Sequence, residues 1–123
     1  MKLSRFLLIK GVITLVFGVL FLVFPAGTMS LFGVTLEQVG IFMTRYFGIA
    51  MIGLGLICLV EKNKAYHAIE GILLSLFITD AIGFIVALQA QLTGLLNALG
   101  WFVVLIWLLL ALGLGYFRFV KAA

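Results

Sequence analysis

Four long apolar runs, separated by three short polar or turn-forming stretches, are what most constrains this chain. A helix crossing a hydrocarbon layer of about 30 Å needs about 20 residues at a rise of about 1.5 Å each. Runs of that length are predicted over residues 6–24, 36–60, 66–88 and 99–117. Within a bilayer every backbone donor and acceptor must be satisfied inside its own segment or in a closed barrel. Four continuous runs are too few and too uniformly apolar for barrel strands, so helices are the solution. Of the 123 residues, 66% are hydrophobic and 10% charged, with a mean hydropathy of +1.39. Ordinary soluble domains hold about half apolar and a quarter charged residues. The expectation is an all-α integral membrane four-helix bundle formed by one transmembrane domain over 1–123, with the lipid bilayer as its first partner.

Punctuation sets the boundaries. Pro25, with Ala26, Gly27 and Thr28, marks a break after the first run. Thr35 followed by Gln38 has the spacing of an N-terminal capping box for the second. Glu61, Lys62, Asn63 and Lys64 form a polar turn, and Gln89 to Asn97 reads as a neutral loop. Lys2 and Arg5 ahead of an apolar stretch imitate a signal peptide, but Phe6 to Phe24 exceeds the usual core of roughly 7–15 residues. No small-x-small cleavage site stands near Pro25, so the stretch is read as a retained first span.

Charge distribution predicts orientation. Lys2, Arg5 and Lys10, then Lys62 and Lys64, then Arg118 and Lys121 fall on one side of the four spans, while the other two loops carry no lysine or arginine. By the positive-inside rule both termini are cytoplasmic. A net charge of +4 thus reads as topology, not as nucleic-acid binding. Tyr46 and Trp101 fall toward the outer boundary and Tyr66 and Tyr116 toward the inner one, whereas Trp107 is expected to pack at mid-membrane. Met29, Leu31, Phe32 and Val34 are too apolar for a watery loop and are expected to dip into the interface.

The eighth basic residue, Arg45, lies inside the second span and Asp80 inside the third. Each faces a penalty of roughly 2.5–3.5 kcal/mol if left in lipid at mid-depth. In an antiparallel pair of spans about the Lys62–Asn63 turn they lie level, and a buried Arg45–Asp80 site, with Ser75 and Thr79 as hydrogen-bonding neighbours, is expected to face the interior. Bridging by water or ligand, snorkelling of Arg45 to outer headgroups, and local bonding of a protonated Asp80 are the alternatives. Lys10 and Glu70 form a second level match near the inner boundary, where snorkelling is the simpler expectation for both. His67, one turn before Glu70, can titrate with it or stand as a solvated surface residue.

Small residues predict the seams. Gly71, Ser75, Thr79 and Gly83 recur every four residues as one narrow ridge on the third span. Gly48 and Gly55 share a seam of the second with Arg45 and Ile52, and Gly11, Thr14 and Gly18 line the first. The last span, with large side chains from Val103 to Leu112, is expected to face lipid or another subunit most.

Nucleophile, phosphate-loop and dinucleotide signatures are absent, as are paired catalytic carboxylates, so no enzyme and no cofactor is expected. With one cysteine, Cys58, and one histidine, a disulfide, redox pair or metal cluster cannot form within a single chain; Cys58 reads as an inert small hydrophobe.

Pro25 after the first span, Leu31–Phe32–Gly33 in the outer loop, Arg45, Gly48, Gly53 and Gly55 in the second, Asp80 in the third, and Gly100–Trp101 opening the fourth together resemble the small four-helix DoxX-like membrane proteins of bacteria and archaea. The resemblance covers most of the chain and implies a four-helix bundle in a prokaryotic plasma membrane; some members are associated with quinone-linked redox chemistry. Three functions are therefore carried forward. The first is a structural or accessory membrane protein, self-associating or attached to a larger complex. The second is a small oligomeric transporter or channel using Asp80 as a proton or cation site. The third is a membrane redox partner binding quinone.

Overall fold

The computed structural model describes residues 2–120, and Lys121, one of the residues behind the orientation argument, lies outside them. The described chain is all-helical: α1 (Leu3–Val23), α2 (Pro25–Ser30), α3 (Gln38–Glu61), α4 (Tyr66–Leu92), α5 (Gly100–Gly115), then a π-helical turn, Tyr116–Val120. Four segments, Leu3–Val23, Gln38–Glu61, Tyr66–Leu92 and Gly100–Val120, are long and apolar enough to cross a membrane. The molecule is an integral membrane protein by that measure. Two compact units divide it, Met1–Asn63 and Lys64–Ala123.

In the first unit, α1 stops at Phe24 because Pro25 restricts its predecessor and has no N–H to continue the ladder; Phe24 accordingly leaves helical geometry at φ −127° and ψ 60°. The expected break is real but short. Pro25 takes the first position of α2, where a missing N–H costs nothing. The Thr28 hydroxyl donates to the Leu20 carbonyl at 3.2 Å, tying α2 back onto α1. Gly33, at φ +80°, then turns the chain in the left-handed conformation that glycine adopts without strain. The capping box at Thr35 is a correction: α3 is capped by Glu37, an extended residue whose side chain makes no capping bond. With the helix starting at Gln38, Thr35 lies too far upstream to reach its free N–H groups.

α1 and α3 pack antiparallel along glycines. A Cβ on Gly48 would stand 2.6 Å from the Gly18 carbonyl oxygen, and one on Gly55 would stand 3.0 Å from that of Gly11. Backbone therefore meets backbone. Each pair, Gly11 with Gly18 and Gly48 with Gly55, is spaced by seven residues, which at about 100° per residue returns to within about 20° of the same face. Seven-residue spacing keeps a seam straight, and small side chains let dispersion contacts form where no hydrophobic effect drives helices together in lipid.

In the second unit, α4 runs four residues beyond the predicted Leu88. Gln89, Ala90 and Gln91 are good helix formers, and the helix ends at Gly94, φ +81°. There the Leu95 N–H donates to the Ala90 carbonyl at 3.1 Å and the Gly94 N–H to that of Gln91 at 3.2 Å, a Schellman closure of the last turn. The Gln91 side-chain amide donates to the Asn97 carbonyl at 3.1 Å. α5 returns antiparallel to α4, with the Trp107 ring laid across Gly83 and the Phe77 ring against Gly115. Trp107 thus packs against α4 at Gly83. The expectation that the last span is the most exposed is corrected: 28% of its apolar window is buried, against 22% for α3 and for α4, because Val104, Leu110, Ala111, Leu114 and Phe117 form a buried stripe.

Candidate functional site

Asp80 is where the sequence places a deep charge, and the structure buries it to 1% exposure on α4, on a stripe with Leu73, Leu76 and Ala87. Its predicted neighbours do not share that stripe. Ser75 and Thr79 are exposed, and their hydroxyls donate to carbonyls one turn back, Ser75 to Gly71 and Thr79 to Ser75, both at 2.9 Å. A hydroxyl bonded to the preceding turn of its own helix is satisfied without any partner helix.

The single narrow ridge is likewise a correction. Successive steps of four residues turn about 40° each, so Gly71 and Gly83 end up about 120° apart around α4. Gly83 lies under Trp107, whereas a Cβ on Gly71 would meet nothing within 4 Å.

Arg45 belongs to the first unit, and its expected burial is corrected: it is exposed. The reason is angular. Gly48 faces the α1 backbone directly, and Arg45, three residues earlier, stands about 60° round the helix from it, at the flank of the α1–α3 contact and not in it. At that flank lies a groove of about 330 Å³ between the end of α1 and the first half of α3. Leu22, Ile41, Phe42 and Ile49 supply its apolar surface, and Gln38, Arg45 and Tyr46 its polar groups. The Phe42 and Tyr46 rings stack edge to face at 4.8 Å between centroids, bracing one wall. Sequence reasoning missed this groove although its signal is present: residues 38, 41, 42, 45 and 49 recur at helical spacing on one face.

Lys10 is a further correction. It is 2% exposed and does not snorkel to a surface. Leu7 and Thr14, one turn to either side, are buried too, so Lys10 sits on the inward stripe of α1. Its predicted mate Glu70 is in the second unit, at 4.0 Å from an Arg118 guanidinium nitrogen and 3.7 Å from His67 Nδ1. The Tyr66 hydroxyl donates to the Arg118 carbonyl at 3.1 Å, and the Arg118 guanidinium lies 5.3 Å from the Phe119 ring centre. This cluster joins the start of α4 to the π-helical turn. His67, 88% exposed, is its solvated edge. Arg118 as partner of Glu70 was not foreseen, though residues opening one span and closing its antiparallel neighbour must share an end. Cys58 is buried, as an apolar packing residue would be.

These features define the class: a small polytopic helical membrane protein with a glycine seam, a buried carboxylate and a lateral cationic groove. No protein-family model, no curated protein and no solved structure matches the chain.

Proposed function

We propose that this chain is a structural or accessory protein of the DoxX-like kind in a prokaryotic plasma membrane, with both termini cytoplasmic, self-associating or joining a larger membrane complex. The observation that carries the reading is the face of α4 bearing Gly71, Ser75 and Thr79. It is exposed, low in relief, and already satisfied in its own hydrogen bonds. Helices in lipid associate where small side chains let backbones approach, and here no hydroxyl must give up water to do so. By contrast, the glycine seam between α1 and α3 is already filled.

The test is the number of subunits per particle, counted by single-molecule photobleaching of the labelled full chain in liposomes over a range of protein densities. Reversible association that weakens in Gly71→Leu supports self-association through this face; particles that remain monomeric at every density refute self-association and leave attachment to a different membrane protein as the only form of the reading. The burial of Asp80 favours a second reading, a small oligomeric transporter or channel with this carboxyl as proton or cation site. Proton-coupled uptake into proteoliposomes, lost in Asp80→Asn, separates the two.

A further inference from the structure

The groove beside Arg45 combines features that a merely lipid-facing helix surface lacks. Among the described residues, Arg45 has neither an ion-pair nor a hydrogen-bond partner, so the five N–H donors of its guanidinium have no protein acceptor. The two carboxylates of its unit, Glu37 and Glu61, are not part of the groove's lining. Glu37 precedes Arg45 by eight residues, about 12 Å of rise, and Glu61 follows by sixteen, about 24 Å. No carboxylate among the described residues lines the groove.

Along α3 its lining runs from Gln38 through Ile41 and Phe42 to Arg45 and Tyr46, and ends on Ile49. Arg45 is seven residues, about 10 Å, beyond the start of the helix at Gln38, and helical side chains lean toward their own N-terminus. The guanidinium is thus lifted toward Gln38 and the end of the span. Ile49, one turn deeper, and Leu22 of α1 line the same groove with hydrocarbon. A volume of about 330 Å³ is at the low end of ligand pockets, roughly 300–1,000 Å³, large enough for a headgroup and the first part of a chain.

We infer that this groove is a binding site for an anionic phospholipid, whose phosphodiester is gripped by Arg45, with the Gln38 amide and Tyr46 hydroxyl beside it, and whose acyl chain descends along Leu22 and Ile49. The matching is by charge and by polarity. An Arg fork bonds two phosphate oxygens in parallel, and the apolar floor continues in the direction that the lipid's own chain takes. The groove lies wholly in the first unit, and the face proposed for self-association is on α4 of the second.

The experiment places a fluorescent reporter in the groove, so that the basic residues elsewhere contribute nothing to the signal. Phe42→Trp is made in a Trp101→Phe, Trp107→Phe background, with Leu22→Trp as the second reporter should the first variant lose helicity. The full chain is reconstituted in phosphatidylcholine bilayers holding equal mole fractions of chain-brominated phosphatidylglycerol or chain-brominated phosphatidylcholine. Brominated phosphatidylglycerol is expected to occupy the groove about fivefold more tightly, the weight of one Lys or Arg near an anionic surface. Arg45→Gln should bring the two lipids level, and Arg45→Lys should keep part of the preference. Equal quenching with Arg45 intact, or a preference unchanged in Arg45→Gln, overturns the assignment. Loss of the preference in excess inorganic phosphate at constant ionic strength also overturns it, since the occupant would then be a free anion. Its persistence supports the lipid.

Discussion

Gly48→Ala is the perturbation that the α1–α3 contact most clearly forbids. The added methyl would lie 2.6 Å from the Gly18 carbonyl oxygen, 2.8 Å from the Leu22 nitrogen and 3.1 Å from the Phe21 Cβ. Two of these three atoms are backbone, so no rotamer change relieves the overlap. To restore an ordinary contact of about 3.4 Å, the helices must separate by about 0.8 Å, and a gap of that size forfeits a quarter to a half of each dispersion well along the seam. Overpacking of this kind costs about 1–3 kcal/mol, a factor of roughly 5 to 150 in the folding equilibrium. The control is Gly53→Ala on the same helix, where the methyl would meet nothing within 4 Å and helix propensity favours alanine. Unfolding in mixed dodecyl maltoside and dodecyl sulfate micelles, followed by far-ultraviolet ellipticity, compares them. Gly48→Ala should unfold at distinctly lower dodecyl sulfate fraction than the parent and Gly53→Ala at the same fraction or higher. Equal midpoints for the two variants would refute the backbone-contact reasoning.

Gly83→Val should disturb the near-ultraviolet signal of Trp107, whose ring the new side chain would strike, and should destabilise by about 1–3 kcal/mol; an unchanged tryptophan spectrum would contradict the packing. Gly94→Ala forces a Cβ into the left-handed region at φ +81° at about 1–2 kcal/mol, read as a lowered thermal midpoint, whereas Gly27→Ala, helical and with open space around it, should keep the midpoint or raise it. Tyr66→Phe removes the donor to the Arg118 carbonyl and should cost about 0.5–1.5 kcal/mol; amide exchange over residues 116–120 should quicken.

The spans were legible because length and continuous apolarity are properties of the chain alone, and the observed helices lie within a few residues of the predicted ones. Their faces were far less legible. When a helix is apolar all round, no moment tells a packed face from one bathed in lipid, which is why the last span looked the most exposed and is not. The seven-residue glycine spacing was readable as small residues at Gly11, Gly18, Gly48 and Gly55, but only the backbone contact shows which pair with which. The four-residue series on α4 misled for a geometric reason, since its drift around the helix divides it between Trp107 and an open face. Arg45 and Lys10 exchanged expected environments. The sequence supplies a cost for a charge in lipid, but whether a long side chain leaves at a flank or lies on a buried stripe depends on a few tens of degrees of helix rotation. Asp80, with a short side chain and no means of reaching an interface, is buried as its chemistry demands.

Four helices are long and apolar enough to cross a membrane, and the topology proposed for them has both termini cytoplasmic. Its most direct measurement is labelling by a membrane-impermeant maleimide in intact cells and again after permeabilisation. Single cysteines are introduced by Gly27→Cys, Asn63→Cys and Gly94→Cys in a Cys58→Ser background. The account predicts that the first and third react from outside, and that Asn63→Cys reacts only once the membrane is opened. Reaction of Asn63→Cys in intact cells, or protection of either of the others there, would contradict it.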